Sequence, residues 1–131
     1  MPEKLLGRNK AKGIGEIFAK TSCNPDRFRD QDKAIYAAAA NQPGTLTAMI
    51  NYYRAIVRHR DVLDLGQGQV DVPTLMIWGE KDIALDIHLT QGTDEWVKDF
   101  TLKRLPEASH WVQQDAPDDV NAILGDWLPP A

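Results

Sequence analysis

The sequence of 131 residues has only one cysteine, Cys23, so no disulfide can form within the chain. Such sparse cysteine usage is typical of a reducing compartment, and we expect a cytoplasmic protein. No apolar run approaches the roughly 18 residues that a membrane span requires, and the N-terminus lacks the apolar core of a signal peptide. We therefore expect a soluble protein without a membrane partner.

Positive charge is also scarce, because 15 lysines and arginines face 19 aspartates and glutamates, for a formal net charge of −4. A dedicated nucleic-acid-binding protein would need clustered basic residues to neutralise phosphates, so no nucleic-acid partner is expected. Cys23, His59, His88 and His110 are scattered and lack the short paired spacings of a metal site. We expect neither a metal nor any other cofactor.

The composition, with 43% hydrophobic residues, suits a folded protein with a real core. Residues 1–22 are rich in lysine and arginine and are interrupted by Gly7, Gly13 and Gly15, which predicts a basic, loosely ordered arm. A helical segment is predicted over residues 23–60, and an α/β subdomain over residues 61–131.

Two helices are predicted in residues 23–60. Asp30 to Ala40 combines a capping aspartate with a run of strong helix formers, and a turn ends it at residues 41–44. Thr45 can cap a second helix, whose apolar residues recur at spacings of three and four: Leu46, Met49, Ile50, Tyr53, Ile56 and Val57. This apolar stripe predicts that the helix buries one face.

The segment 61–131 alternates short apolar runs with helical patterns. After a connector at residues 61–71, residues 72–79 predict a strand covered on both faces, and residues 100–105 predict a second strand. A short helix is expected between them at residues 94–100. A final helix is predicted to begin at Pro117 and to present an apolar face of Val120, Ile123, Leu124, Trp127 and Leu128.

Two strands separated by a helical crossover pair in parallel, so the predicted fold class is α/β. The sheet would be very small. Both of its edges would present unpaired backbone groups unless a helix or another chain covers them.

Two polar residues, Asp82 and His110, each follow one of the predicted strands. Parallel neighbours would bring both loops to the same sheet edge, where ligands bind in open α/β sheets. A carboxylate that accepts a hydrogen bond from one imidazole nitrogen leaves the other nitrogen to take a proton, so Asp82 would orient His110 as a general base. A turn aspartate that bonds nearby backbone and a partly exposed loop histidine remain open alternatives.

Four stretches resemble the C-terminal half of α/β hydrolases of the epoxide hydrolase and dehalogenase group: QPGTLTAMINYYRA at 42–55, WGEKD at 78–82, ASHW at 108–111 and PDDVNAILGDWL at 117–128. The resemblance implies a partial α/β-hydrolase fold of two parallel strands and helices, in which residues 23–60 derive from the cap and the N-terminal half is absent. It also implies that Asp82 and His110 are the acid and the histidine of a catalytic triad.

The resemblance extends to Tyr53, because a cap tyrosine of epoxide hydrolases donates a proton or a hydrogen bond to the epoxide oxygen. Ring opening by a carboxylate develops negative charge on that oxygen, which a phenol can neutralise. The alternative is that Tyr53 only packs within the apolar stripe. Trp78 and Trp111 flank the two loops, and they would either enclose a small apolar substrate or serve as ordinary core residues.

The family's nucleophile is missing from the sequence. The chain has only two serines, Ser22 and Ser109, and no two glycines four positions apart, so it lacks both G-x-S-x-G and its aspartate counterpart. A general base without a nucleophile gives little acceleration, so the chain is expected to be inactive alone. The N-terminal half is expected to be lost, separately encoded or removed.

Two hypotheses about function remain open. In the first, the chain is one half of an epoxide hydrolase and is completed by a separate N-terminal half; half of a haloalkane or haloacid dehalogenase or of an esterase is the alternative. In the second, it is a truncated, non-catalytic domain that covers its sheet edges by forming a homo-oligomer.

Overall fold

The structure, a computed structural model, describes residues 2–59 and 68–129. In this part of the chain six α-helices and two strands follow in the order α1 Pro2–Leu6, α2 Arg8–Thr21, α3 Asp30–Ala40, α4 Thr45–Arg58, β1 Thr74–Gly79, β2 Phe100–Leu105, α5 Val112–Asp115 and α6 Pro117–Trp127. Short 3-10 helices lie at Pro25–Arg27, Ile87–Thr90 and Thr93–Glu95. No helix among these residues is long and apolar enough to cross a membrane.

The chain divides into two compact units. The helical unit comprises the described parts of Met1–Lys20 and Phe28–Gln67, and the sheet unit comprises those of Thr21–Arg27 and Gly68–Ala131. The helical unit contains α1, α3, α4 and all but the last residue of α2, whereas the sheet unit contains both strands, α5 and α6. The predicted division into an arm at 1–22, a cap segment at 23–60 and a subdomain at 61–131 stays a prediction.

The N-terminal residues differ from the loosely ordered arm that their composition predicts. They form α1 and α2, and the buried cluster of Ala11, Ile14 and Ala40 anchors α2 in the helical unit. The backbone is left-handed at three successive residues, Asn9 to Ala11, and helical beyond them. A Cβ on Gly15 would lie 2.3 Å from the carbonyl oxygen of Lys33, so this glycine permits α2 and α3 to approach closely. The apolar residues among the basic ones therefore give the segment a face to bury.

Helices α3 and α4 have the predicted extents but differ in how they begin. The backbone N–H of Arg29 donates to the Asp32 carboxylate at 3.1 Å, and Asp30 is the first helical residue instead of the cap. Gly44 precedes α4 with a φ of 81°, so Thr45 is likewise the first helical residue.

The predicted burial of the α4 stripe is wrong for most of its residues, although Leu46 packs against the buried cluster of Ala11, Ile14 and Ala40. No residue of α4 is buried, and Tyr53 is 69% exposed. The helical period of the apolar residues shows which side chains share a face, but it does not supply the surface that would cover them.

The two strands pair in parallel, with Thr74 opposite Phe100 and Gly79 opposite Leu105, which confirms the α/β prediction. An isolated bridge between Val70 and Val97 extends the pairing into the segment predicted as a connector, of which residues 61–67 lie outside the described residues. The helix predicted at residues 94–100 is also wrong. Only a short 3-10 helix forms, at Thr93–Glu95. Val97 is buried and pairs with Val70, and this tertiary contact overrides the local helical preference.

The core of the sheet unit lies where the strands meet α5 and α6. Its buried residues are Ala108, Val112 and Val120, and Ile77, Leu105, Ala116 and Leu124 pack against them. Helix α6 begins with Pro117, as the sequence predicts. The prediction that β1 is covered on both faces is wrong, since residues 74–78 are all only half-buried in this two-stranded sheet.

Candidate active site

The loops that follow β1 and β2 are held against each other by backbone contacts. The N–H of Glu80 donates to the carbonyl of Leu105 at 3.0 Å, and the N–H of Lys81 donates to that of Ala108 at 3.0 Å. A Cβ on Gly79 would lie only 2.2 Å from the carbonyl oxygen of Ser109. The glycine that ends β1 is therefore what allows the second loop to pass so close.

Asp82 and His110 meet where these loops touch. The Asp82 Oδ2 and the His110 Nδ1 are 2.8 Å apart, and the two side chains are 7% and 35% exposed. The Asp82 Oδ1 accepts hydrogen bonds from the backbone N–H groups of Ala84 at 2.8 Å and Leu85 at 2.9 Å. Asp82 thus makes the local turn contacts and the contact with the histidine at once, one through each carboxylate oxygen.

The electrostatics of this pair favour an ionised aspartate. Burial raises the pKa of Asp82, but the hydrogen bonds from His110, Leu85 and Ala84 outweigh it and hold that pKa below its usual value. An ionised carboxylate only accepts, so the His110 Nδ1 carries the proton that it donates to Asp82. The Nε2 of a neutral imidazole held in this way is left to take a proton from water or another donor.

A second buried carboxylate, Asp115 at the end of α5, lies beside the His110 loop and was not predicted from the sequence. The N–H of Ser109 donates to the Asp115 Oδ2 at 2.7 Å, and the Ser22 hydroxyl donates to its Oδ1. Burial raises the pKa of Asp115, but the hydrogen bonds from Ser109 and Ser22 outweigh it and lower that pKa. The one sequence feature that could have indicated a buried role for Asp115 is its position between the apolar residues Val112 and Ala116.

The tryptophans and the tyrosine predicted at the site lie in different places. Trp111 is half-buried, its ring meets that of His110 edge to face with centroids 4.8 Å apart, and its Nε1 donates to the Thr21 Oγ1 at 2.7 Å. Trp78 lies in β1, and its buried Nε1 has no hydrogen-bond partner among the described residues. Tyr53 belongs to the helical unit, so only the tryptophans share a unit with Asp82 and His110.

A cavity of about 560 Å³ adjoins the Asp115 network in the sheet unit. Its lining includes Cys23, Lys81, Ala108 and Asp115, but neither Asp82 nor His110. Among residues 2–59 and 68–129, no group of three or more histidine, cysteine, aspartate or glutamate side chains is placed to hold a metal ion.

Comparison with known proteins yields close relatives, although no family model matches the chain. It is 35% identical over 132 aligned residues to Epoxide hydrolase 4 of Mus musculus, and the match covers 97% of this chain and 36% of the relative. It is 36% identical to the AB hydrolase superfamily protein YfhM of Bacillus subtilis, with 98% of this chain and 44% of the relative covered. The chain thus spans well under half the length of these relatives.

Solved structures share its fold. An epoxide hydrolase of Bacillus megaterium in complex with an inhibitor superposes with a TM-score of 0.79 and 22% identity, over 95% of this chain and 46% of that one. The Cif epoxide hydrolase of Acinetobacter nosocomialis gives a TM-score of 0.78 and 18% identity, over 98% and 41%. The chain belongs to the α/β hydrolases of the epoxide hydrolase group.

This membership confirms the predicted partial α/β-hydrolase fold, since the chain matches a C-terminal part of epoxide hydrolases. In this α/β hydrolase segment the predicted roles of Asp82, His110 and Tyr53 in catalysis, and of Trp78 and Trp111 in substrate binding, stay predictions. What the structure adds is the geometry of the Asp82–His110 pair.

Proposed function

We propose that this chain supplies the acid and the histidine of an epoxide-hydrolase-type active site, with Asp82 orienting His110 as the general base. The observation that carries this proposal is the 2.8 Å contact between the Asp82 Oδ2 and the His110 Nδ1, made by a nearly buried carboxylate and a partly exposed imidazole. The relatives named as epoxide hydrolases support the substrate class.

In the proposed reaction a carboxylate nucleophile attacks a carbon of the epoxide and breaks its C–O bond, which forms an alkyl-enzyme ester. Tyr53 gives a proton or a hydrogen bond to the oxygen released from the ring. The His110 Nε2 then takes a proton from water as its oxygen attacks the ester carbonyl carbon, and the ester C–O bond breaks. The released alkoxide takes the proton from His110 and leaves as the diol, while the proton on the regenerated carboxyl group returns to Tyr53 where Tyr53 had given up its own. Because the sequence has no nucleophile motif, this carboxylate belongs to a polypeptide segment outside these 131 residues.

The proposed substrate is a small apolar epoxide, and the tryptophans are its proposed contacts. The indole of Trp111 lies against the imidazole of His110, where it can contact an apolar group and limit the access of water. Trp78 is a weaker candidate, because it lies within β1 and not in either loop. Dehalogenation is the alternative reaction, since it uses a similar pair and differs in how the leaving group is stabilised.

The decisive experiment is complementation with a simple epoxide such as styrene oxide. The purified chain is expected to be inactive alone, and to become active when mixed with the part of Epoxide hydrolase 4 of Mus musculus that this chain does not cover. His110→Gln should lower the restored rate by about 100-fold or more, as loss of a general base does. His88→Gln, at a histidine with an exposed side chain, is the matched control and should have no effect. If the purified chain alone turned over the epoxide and His110→Gln abolished this activity, the claim that the chain lacks a nucleophile would be wrong. If the restored activity persisted in His110→Gln, the role of His110 as the general base would be wrong.

The second candidate function is that of a non-catalytic, self-associating domain. Among the described residues β1 and β2 have no further strand partner, and several apolar side chains of α4 are exposed. Light scattering of the purified chain tests this proposal. A dimer or larger homo-oligomer is expected if it holds, and a stable monomer counts against it. The expected cytoplasmic location, and the expected lack of nucleic-acid and membrane partners, stay predictions.

A further inference from the structure

The buried carboxylate of Asp115 makes more contacts than the end of a four-residue helix requires. It is 7% exposed and lies in the sheet unit, close in sequence to His110 but without a hydrogen bond to it. A buried charge is costly unless several donors satisfy it, so the donors around Asp115 indicate what it stabilises.

Its first contacts hold the backbone on both sides of His110. The N–H of Ser109 donates to the Asp115 Oδ2 at 2.7 Å, and the Ser109 side chain helps to lower the pKa of the same carboxylate. The Ser109 hydroxyl also accepts the N–H of Trp111 at 3.2 Å. The carboxylate therefore holds the backbone of the residue before the histidine, and the hydroxyl of that residue holds the backbone of the residue after it.

Its remaining contacts fix the carboxylate itself. The Ser22 hydroxyl donates to the Oδ1, the N–H of Asn24 donates to the Oδ1 at 3.3 Å, and the N–H of Cys23 donates to the Oδ2 at 3.4 Å. The indole of Trp111 adds a further link to this segment through the Thr21 Oγ1. The support for the His110 loop is thus anchored on residues 21–24, which lie more than 80 positions earlier in the sequence.

We propose that Asp115 is a positioning residue for His110, whose carboxylate holds residues 109–111 so that the imidazole Nδ1–H meets Asp82. This inference rests on the proposed function, because it assumes that the Asp82–His110 pair is the working part of the site. It adds a residue that touches neither the substrate nor the imidazole. A carboxylate with a purely structural role would affect the stability of the fold but not the protonated nitrogen of His110 in the folded state.

The test reads the tautomer of His110 by long-range proton–nitrogen NMR on the isotope-labelled full chain, with His110→Gln identifying its signals among the three histidines. In the wild type the Nδ1–H form should dominate. Asp115→Asn, which keeps the shape but not the charge, should raise the Nε2–H fraction by about fivefold, the effect of one ordinary hydrogen bond. Asp86→Asn is the matched control, because Asp86 contacts His88, and it should leave His110 unchanged.

Asp82→Asn distinguishes a failure of the proposed function from a failure of the positioning role of Asp115. If it leaves the His110 tautomer unchanged, the pair does not form and the proposed function fails. If Asp82→Asn shifts the tautomer but a folded Asp115→Asn does not, only the role of Asp115 is overturned.

Should Asp115→Asn fail to fold, Ser109→Ala decides, since it keeps the carboxylate and the Ser109 N–H that donates to it but removes the hydroxyl that accepts the N–H of Trp111. A shift in the His110 tautomer then supports the positioning role, and an unchanged tautomer overturns it.

Discussion

The described buried polar residues, Thr90, Ser109 and Asp115, all lie in the sheet unit, whereas both units leave large apolar side chains exposed. Ser109 and Asp115 are almost inaccessible and hydrogen-bonded within the sheet unit, while Tyr53 and Val57 on α4 are exposed. The polar groups of the sheet unit find their partners in the same unit, so their arrangement is complete in itself. Leu46 of the α4 stripe packs against the core of the helical unit, but the rest of the stripe would need a surface that the described residues do not provide. A buried hydrogen-bonded group therefore shows which residues it binds, whereas an exposed apolar face does not show what would cover it.

Separate spectroscopic probes are available for the two units. All four tryptophans, Trp78, Trp96, Trp111 and Trp127, lie in the sheet unit, so tryptophan fluorescence follows that unit alone. The long helices α2, α3 and α4 lie in the helical unit and dominate far-UV circular dichroism.

The largest expected effect is on the core of the helical unit. Phe28 is 4% exposed and lies 6.0 Å from the ring of Phe18, so Phe28→Ala should lower the free energy of unfolding by about 4 kcal/mol. Chemical denaturation followed by circular dichroism measures it. Ile35→Ala, at an exposed apolar position of α3, should change the free energy by less than about 0.5 kcal/mol. Equal effects of the two substitutions would contradict the assignment of Phe28 to the core.

The next largest effect concerns the close approach that brings the site loops together. Gly79→Ala would put a Cβ against the backbone of Ala108 and Ser109 and should lower the free energy of unfolding by about 3 kcal/mol. Gly125→Ala is the matched control. It has open space around it in α6 and should be neutral or stabilising, by up to about 1 kcal/mol. Denaturation followed by tryptophan fluorescence measures both, and a harmless Gly79→Ala would rule out the tight packing of the loops.

The helical unit offers a counterpart to this comparison. Gly15→Ala should clash with the backbone of Lys33 and destabilise by a similar amount, about 3 kcal/mol, while Gly13→Ala has no neighbour within 4 Å and should not. Far-UV circular dichroism reads this pair. If only one of the two clashing glycines proves sensitive, the units differ in how rigidly their elements are packed.

A smaller effect is expected from pH. The pKa values of Asp82 and Asp115 are lowered in the folded chain, so the folded state binds fewer protons than the unfolded one near their pKa values. Their stabilisation is therefore complete above the unfolded value of about 4 and is lost as the pH falls through the folded pKa values.

Denaturation at neutral and acid pH measures this loss, followed by tryptophan fluorescence for the sheet unit and by far-UV circular dichroism for the helical unit, in which Asp30 lies. Asp82→Asn and Asp115→Asn should each make stability less dependent on pH. Asp30→Asn should not, because that carboxylate is exposed and its attraction to Lys33 is screened by water. A slope that is the same in all three variants would contradict the assignment.

The smallest effect is expected on α4. Tyr53→Phe should change the free energy of unfolding by less than about 0.5 kcal/mol, because the side chain is mostly exposed. In the complemented enzyme the same substitution should lower epoxide turnover, whereas Tyr52→Phe, at an equally exposed neighbour, should not. A large loss of stability in Tyr53→Phe would mean that the hydroxyl serves the fold instead.

Much of the sheet unit could be predicted from the sequence. Residues 100–105 and Pro117 mark the bounds of β2 and the start of α6 as the structure has them. Asp82 and His110 could be placed together because parallel strands deliver their following loops to one edge, and this rule depends only on chain order. The helix predicted at residues 94–100 failed because pairing between Val70 and Val97 is a tertiary contact.

The sequence by itself determined the order of α3, α4, β1, β2 and α6, because hydrophobic period and proline position act locally. It also determined which two loops would meet. Only the tertiary structure decided that Asp115 supports the His110 loop, that Gly79 lets this loop pass close to β1, and that most of the α4 stripe stays exposed. These features depend on atoms that are distant in sequence and meet only on folding, and local patterns carry no information about such contacts.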